Sequence, residues 1–275
     1  MEELRERNAL VTGAGGGLGG FIARALAGEG VNLALTDLPE APVDGLAAEL
    51  RTRGVRVEHV PADLSDGDER RRLVSWSEET LGPLDILVNN AGVEFGGGFL
   101  QTTREELELT VAVNLLAVMD LTRLLLGGML ERRSGHVVNV ASLAGKAPAP
   151  YLATYAATKH GVVGFTHSLR AEYGPEPVGF SAICPTFVSR VGMFGRLEAE
   201  LEPGPAPFGT LPPESVGEAA VRAIRDNLAE VVLGPLLVRP LIPLYAMAPR
   251  LATRLARNRR GMEFAERFAK ARGRL

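Results

Sequence analysis

Asn8-Ala9-Leu10-Val11-Thr12-Gly13-Ala14-Gly15-Gly16-Gly17-Leu18-Gly19-Gly20 is the first strongly patterned stretch of the chain. Its apolar start, Asn8–Thr12, reads as a strand. A helical pattern begins inside the glycine run, at Leu18, and continues to Glu29. Glycines at such a junction let the backbone turn sharply and approach a ligand closely. The N–H groups and positive dipole at a helix start favour phosphate there. A glycine-rich run alone is also compatible with a plain tight turn. A strand before it, a helix after it and a place at the head of a β-α-β unit are the context a dinucleotide cradle needs. Gly13, Gly15, Gly16, Gly17, Leu18 and Gly19 are therefore expected to hold a pyrophosphate.

Outward from the cradle the alternation continues. Strands are expected at Val31–Asp37, Val55–Val60, Leu84–Asn89, His136–Ala141, Val178–Cys184 and Glu230–Leu233. Helices are expected at Val43–Arg53, Asp66–Leu81, Arg104–Arg132, Leu152–Tyr173 and Pro213–Leu228. This order predicts an α/β fold, a Rossmann-type doubly wound parallel sheet of about seven strands with helices on both faces. Several strands are almost wholly apolar, as both-face coverage requires. One domain over 1–235, followed by a helical extension over 236–275, is the expected division. Ser189–Pro212 breaks the alternation with Gly192, Gly195, Pro203, Gly204, Pro205, Pro207 and Gly209. It reads equally as a binding lid and as a surface connection.

Composition narrows the setting. The 275 residues are 46% hydrophobic and carry a net charge of −3, which gives no case for nucleic acid. The single cysteine, Cys184, needs no oxidising compartment. The start, Met-Glu-Glu-Leu-Arg-Glu-Arg, lacks the pattern of a signal peptide, and Leu236–Ala248 is too short and Pro-broken to span a membrane. A cytoplasmic location is expected, and no metal site.

Asp37 lies at the end of the second strand, 18 residues past Gly19. A carboxylate there accepts hydrogen bonds from adenosine ribose hydroxyls and repels a 2′-phosphate. No arginine or lysine lies between Val31 and Asp44. NAD(H) is therefore expected over NADP(H). Asp63 and Leu64 end the third strand and can meet the adenine; Asp63 can instead cap the next helix. Asn89-Asn90-Ala91-Gly92 ends the fourth, where small residues admit a ligand and Asn side chains can tie strand ends together.

Ser142 ends the fifth strand, and Tyr155 follows thirteen residues later. Lys159 is four residues beyond Tyr155, on the same helical face. A free tyrosine, with a pKa of about 10, is a poor base at neutral pH. A neighbouring ammonium and a positively charged nicotinamide ring both favour phenolate and are expected to lower that pKa, making Tyr155 an acid/base partner. Ser142 can hold the substrate oxygen, and Lys159 can bind the nicotinamide ribose. The pair taken alone also fits a core tyrosine beside a surface lysine.

Thr12-Gly13-x-x-x-Gly17-x-Gly19, Asn89-Asn90-Ala91-Gly92, Asn114, Ser142 and Tyr155-x-x-x-Lys159 occur in one order and spacing. In these the chain resembles the short-chain dehydrogenase/reductase family over about residues 6–235. The resemblance implies a catalytic set of Ser142, Tyr155 and Lys159, with Asn114 holding a water in the proton relay. It implies cofactor contacts from Asn90, Ala91, Gly92, Pro185 and Val188, and a homodimer or homotetramer. The sequence departs from the family after the sixth strand. Thr186 stands for the usual glycine, and the expected threonine near 190 is replaced within Phe187-Val188-Ser189-Arg190. Ser189 or the backbone would have to substitute.

Val93, Phe95, Phe99, Leu143, Tyr151, Phe187, Met193 and Phe194 are candidate walls of an apolar substrate pocket. Residues 250–275 hold nine Arg/Lys against two Glu. This tail reads either as a segment touching anionic membrane or, the preferred reading, as a cover over the cleft or a subunit interface. The expected function is NAD(H)-dependent interconversion of an apolar alcohol with a ketone or aldehyde. A 3-oxoacyl thioester reductase is one alternative. A non-catalytic NAD sensor or scaffold is another, against which the intact Ser142, Tyr155 and Lys159 speak.

Overall fold

The computed structural model describes residues 1, 3–174, 177–198, 209–235, 241–257 and 259–271. In chain order the elements are β1 (Asn8–Thr12), α1 (Gly17–Gly28), β2 (Asn32–Thr36), α2 (Val43–Arg51), β3 (Val57–His59), α3 (Gly67–Leu81) and β4 (Ile86–Asn89). Then come α4 (Arg104–Val111), α5 (Ala117–Glu131), β5 (Gly135–Val140), α6 (Ala153–Glu172) and β6 (Val178–Pro185). The rest are α7 (Gly192–Glu198), α8 (Glu214–Arg225), β7 (Glu230–Leu233), α9 (Leu241–Met247), α10 (Pro249–Ala256) and α11 (Arg259–Lys270).

The strands form one parallel sheet in the order β3-β2-β1-β4-β5-β6-β7. Val11 lies opposite Leu35 on one side and Val88 on the other. Strand order reverses between β1 and β4. A doubly wound sheet leaves a crevice at that point, outside the carboxyl ends of its strands. β4, β5 and β6 are buried along their whole length, which is why their sequences are apolar runs rather than alternations.

One face is covered by α1, α2 and α8 through Ile22, Leu26, Leu46, Leu50, Val216 and Ile224. The other is covered by α3 and α5, through Leu73, Leu81, Leu121, Leu125 and Met129, with Val162 and Val163 of α6 beside them. Local chemistry sets the helix starts. Asp66 accepts from the Asp68 amide at the start of α3, and Thr103 with Glu106 forms a reciprocal cap on α4. The Arg70 guanidinium is only 6% exposed. It bonds Asp120 of α5 at 2.8 Å and the Leu64 carbonyl at 2.6 Å, tying both helices to the loop after β3.

Three elements differ from expectation. The helix expected over Arg104–Arg132 is broken by a π-helical turn at Ala112–Leu116. Periodicity cannot show a single inserted residue, and such turns gather at functional sites. The stretch after β6, read as irregular, contains α7; its residues 199–208 lie outside the described residues, as does 236–240 at the start of the extension. β3 is only three residues long, against six expected.

Candidate active site

The cradle forms where β1 meets α1. Gly13 has φ +66°, and a Cβ there would lie 2.8 Å from the Ala91 Cα. A Cβ on Gly19 would collide with the Gly13 carbonyl, so α1 packs against the turn only with glycine at that position. Gly16 precedes α1 in an extended conformation, and no side chain caps the helix. Its first amides are left for an anion. The Thr12 hydroxyl donates to the Val88 carbonyl at 3.2 Å and accepts from the amides of Asn90 and Ala91. Asn90 Nδ2 donates to the carbonyls of Thr12 and Gly13, both at 3.0 Å. The Asn90 side chain is thus a strut between β1 and β4 at the sheet's reversal. Asn89 likewise donates to Asn139 on β5 at 2.8 Å.

Asp37 follows β2 and faces the cradle. Its carboxylate accepts from the Gly15 amide at 2.9 Å and from Leu38 N at 2.8 Å. Leu38, Glu40, Ala62, Asp63 and Leu64 line the same end of the cleft, and no lysine or arginine lines it between Gly13 and Leu64. Asp63 accepts from the Ser65 amide and hydroxyl, while Asp66 caps α3. The capping alternative for Asp63 therefore falls to Asp66.

Ser142 leaves β5 with its Oγ accepting from the Ala144 amide at 3.1 Å. Tyr155 and Lys159 stand one turn apart on α6, with Lys159 Nζ 5.6 Å from the Tyr155 ring centre. Lys159 is 4% exposed and donates to the Val140 carbonyl at 2.8 Å. Burial pushes its ammonium down to about 8. In the protein on its own the Tyr155 pKa is raised rather than lowered. Burial and the charge of Glu94 raise it above the ordinary phenol value, and a hydrogen bond with Ser142 offsets this only in part. In this state Tyr155 is a neutral proton donor.

Asn114 sits in the π turn, fully buried. Its side chain accepts from Val93 N at 2.8 Å and donates to the Val93 carbonyl at 2.8 Å and to the Thr158 hydroxyl at 3.3 Å. Asn114 therefore fixes the backbone beyond Gly92 against the helix that carries Tyr155.

One cleft of about 1780 Å³ runs from Asp37 past Ser142, Tyr155 and Lys159 to the C-terminal helices. Val93, Leu143, Pro185, Phe187, Val188, Met193 and Phe194 line it. Tyr151 falls outside that lining. It takes φ +63°, and its carbonyl accepts from Gly97. Phe99 also falls outside and is 58% exposed. The candidate stand-in Ser189 donates to the Leu211 carbonyl at 3.2 Å. Thr186 instead lines the cleft, its buried hydroxyl without a hydrogen-bond partner among the described residues.

Sequence reading missed Glu94 and the place of Thr186 in the lining, whereas Phe187 and Phe194 were expected there. Glu94 follows a motif dominated by Asn and Gly and carries no signal in isolation. At the far end Phe187 packs 4.8 Å from Phe194 and 5.2 Å from Phe264 of α11, ring centre to ring centre. Ile242 and Tyr245 of α9 also line the cleft. Phe264 and Phe268 are both buried in this lining, so α11 covers the cleft as the preferred reading of the tail expects.

The short chain dehydrogenase family model matches residues 7–202. The ketoacyl reductase HetN of Nostoc sp. is 36% identical over 233 residues, covering 85% of this chain and 80% of that protein. The oxidoreductase UcpA of Escherichia coli is 38% identical over 190 residues, covering 68% and 72%. Among solved structures, a variant actinorhodin polyketide ketoreductase with NADPH superposes with a TM-score of 0.76 at 33% identity. That match covers 82% of this chain and 94% of the other.

Proposed function

Because the chain belongs to the short-chain dehydrogenase family, we propose that it interconverts an apolar alcohol with the corresponding ketone or aldehyde, using NAD(H). The observation that carries this reading is the convergence of Ser142, Tyr155 and buried Lys159 on one cleft whose other end is the glycine cradle.

The residues present fit a nicotinamide dinucleotide. A Cβ on Gly16 would meet nothing within 4 Å, the start of α1 is uncapped, and the Thr186 hydroxyl is buried without a partner among the described residues. Gly13–Gly19 would hold the pyrophosphate, Asp37 the adenosine ribose, and Thr186 with Pro185 and Val188 the nicotinamide end. Such a cofactor, when bound, supplies or accepts hydride. In reduction, Ser142 and Tyr155 hold the carbonyl oxygen, and the Tyr155 hydroxyl donates its proton to that oxygen as charge develops there. In oxidation, Tyr155 takes the alcohol proton. Lys159 keeps a positive charge beside the phenol and favours its ionised form once the proton leaves.

The solved ketoreductase relative holds NADPH. The NAD(H) preference rests on Asp37 and Glu40 in this chain's own adenosine wall, where no lysine or arginine from residues 13–64 lines the cleft. A fluorescence titration with NADH and NADPH tests it, and comparable affinities would remove it. A second reading, 3-oxoacyl thioester reduction, is favoured by the names of the relatives. Turnover on apolar secondary alcohols, steroids and hydroxyacyl thioesters separates the two. Exposed Leu107, Val111 and Leu116 beside the π turn support the proposal of a homo-oligomer, which light scattering checks.

A further inference from the structure

The two readings of the basic tail divide between its helices. α11 turns Phe264 and Phe268 into the cleft, where both are buried. α10 does something else. From Val231 to Met262 the sequence holds six arginines and no aspartate or glutamate, in a chain whose net charge is −3. Arg250, Arg254 and Arg257 are all exposed on α10 or just beyond it. Their spacing of four and three residues sets them along one side of the helical path. No carboxylate on α9 or α10 exists to pair with them. Beside them, Met247 is 84% exposed and Leu251 is 46% exposed.

We infer that the α9–α10 face docks on an anionic lipid bilayer. Arginines match lipid phosphate, and Met247 and Leu251 enter the boundary between headgroups and acyl chains. An acidic protein surface would match the arginines equally well. It would leave the exposed Met247 and Leu251 without a role, and that apolar pair decides for the bilayer. α9 packs against α10 and also lines the cleft through Ile242 and Tyr245. The docked face is therefore the outer side of a substrate-cleft wall, which sets that wall against a phase that dissolves apolar compounds. This consequence rests on the apolar-substrate reading above; the docking itself does not.

The test is co-sedimentation of the full-length protein with vesicles of phosphatidylcholine alone or mixed with phosphatidylglycerol. The mixed vesicles should bind the protein, less so as salt rises, and phosphatidylcholine alone should bind it weakly. At about fivefold per arginine, R250Q/R254Q/R257Q should weaken binding on the order of 100-fold. Met247→Ser with Leu251→Ser should also weaken it. None of these five residues lines the cleft, so turnover of a water-soluble ketone should be unchanged, which shows that each variant is folded. No binding of the unaltered protein to mixed vesicles overturns the proposal. So does full binding by the arginine variant. Full binding by the serine variant also overturns it, because the face would then be purely electrostatic and suited to an acidic protein.

Discussion

Replacing Lys159 with Met should stabilise the cofactor-free protein while disabling it. The ammonium is 4% exposed, and its pKa falls from 10.5 to about 8 through burial. Keeping that charge below pH 8 therefore costs the fold roughly 3 kcal/mol. Met has similar length and no charge. It loses the 2.8 Å bond to the Val140 carbonyl, worth about 1 kcal/mol. The net is about 2 kcal/mol in favour of the variant at pH 7, or a Tm rise on the order of 5 °C for a chain of this size. The pH dependence carries a definite sign. The folded pKa lies below the unfolded one, so between pH 8 and 10.5 the unfolded chain binds more protons and stability of the lysine protein rises with pH. The variant lacks that group, so its advantage should shrink across this window and largely vanish near its upper end. Paired calorimetric scans at pH 7 and pH 10 read the difference directly, because other titrating groups are common to both proteins. A variant less stable at pH 7, or an advantage unchanged at pH 10, would refute the claim that Lys159 is a buried charge held at a cost.

Glu94→Gln removes a charge that raises the Tyr155 pKa, so the acid limb of the alcohol-oxidation pH profile should move down by about one pH unit; an unmoved limb would detach Glu94 from the site. Leu38→Arg adds a cation to the adenosine wall beside Asp37 and should tighten NADPH at least tenfold by the size of a charge-assisted bond, read by fluorescence titration. Arg70→Met removes one of the two guanidinium partners of Asp120, leaving Arg123 at 3.0 Å, and should cost on the order of 2 kcal/mol in urea unfolding. It should also weaken adenine binding, because the Leu64 carbonyl loses its anchor.

Much of this architecture is legible in the sequence for a physical reason. A parallel sheet buried on both faces forces continuous apolar strands such as Ile86–Val88, and helices between them follow a period that short windows show. The glycine cradle and the Tyr155/Lys159 spacing are local, so sequence distance equals geometry. What stayed illegible depends on contacts between distant segments or on single-residue insertions. The π turn at Asn114 leaves the apolar period almost unchanged. The rise in the Tyr155 pKa comes from burial and from Glu94, sixty-one residues earlier in the chain, outweighing the hydrogen bond with Ser142. Thr186 looked like a departure from pattern, yet it lines a cleft that Ser189, bonded to Leu211, does not serve. Tyr151 looked like pocket lining, but the positive φ at that residue belongs to a turn that holds Gly97.

The central claim is that the Tyr155 hydroxyl exchanges the proton at the reacting oxygen. Its most direct test is the turnover of Tyr155→Phe, with NADH affinity measured on the same preparation. Loss of that hydroxyl should lower turnover by about 10²–10⁴-fold while NADH binds as before, since the cradle and Asp37 are untouched. Turnover within a fewfold of the unaltered protein would contradict the account.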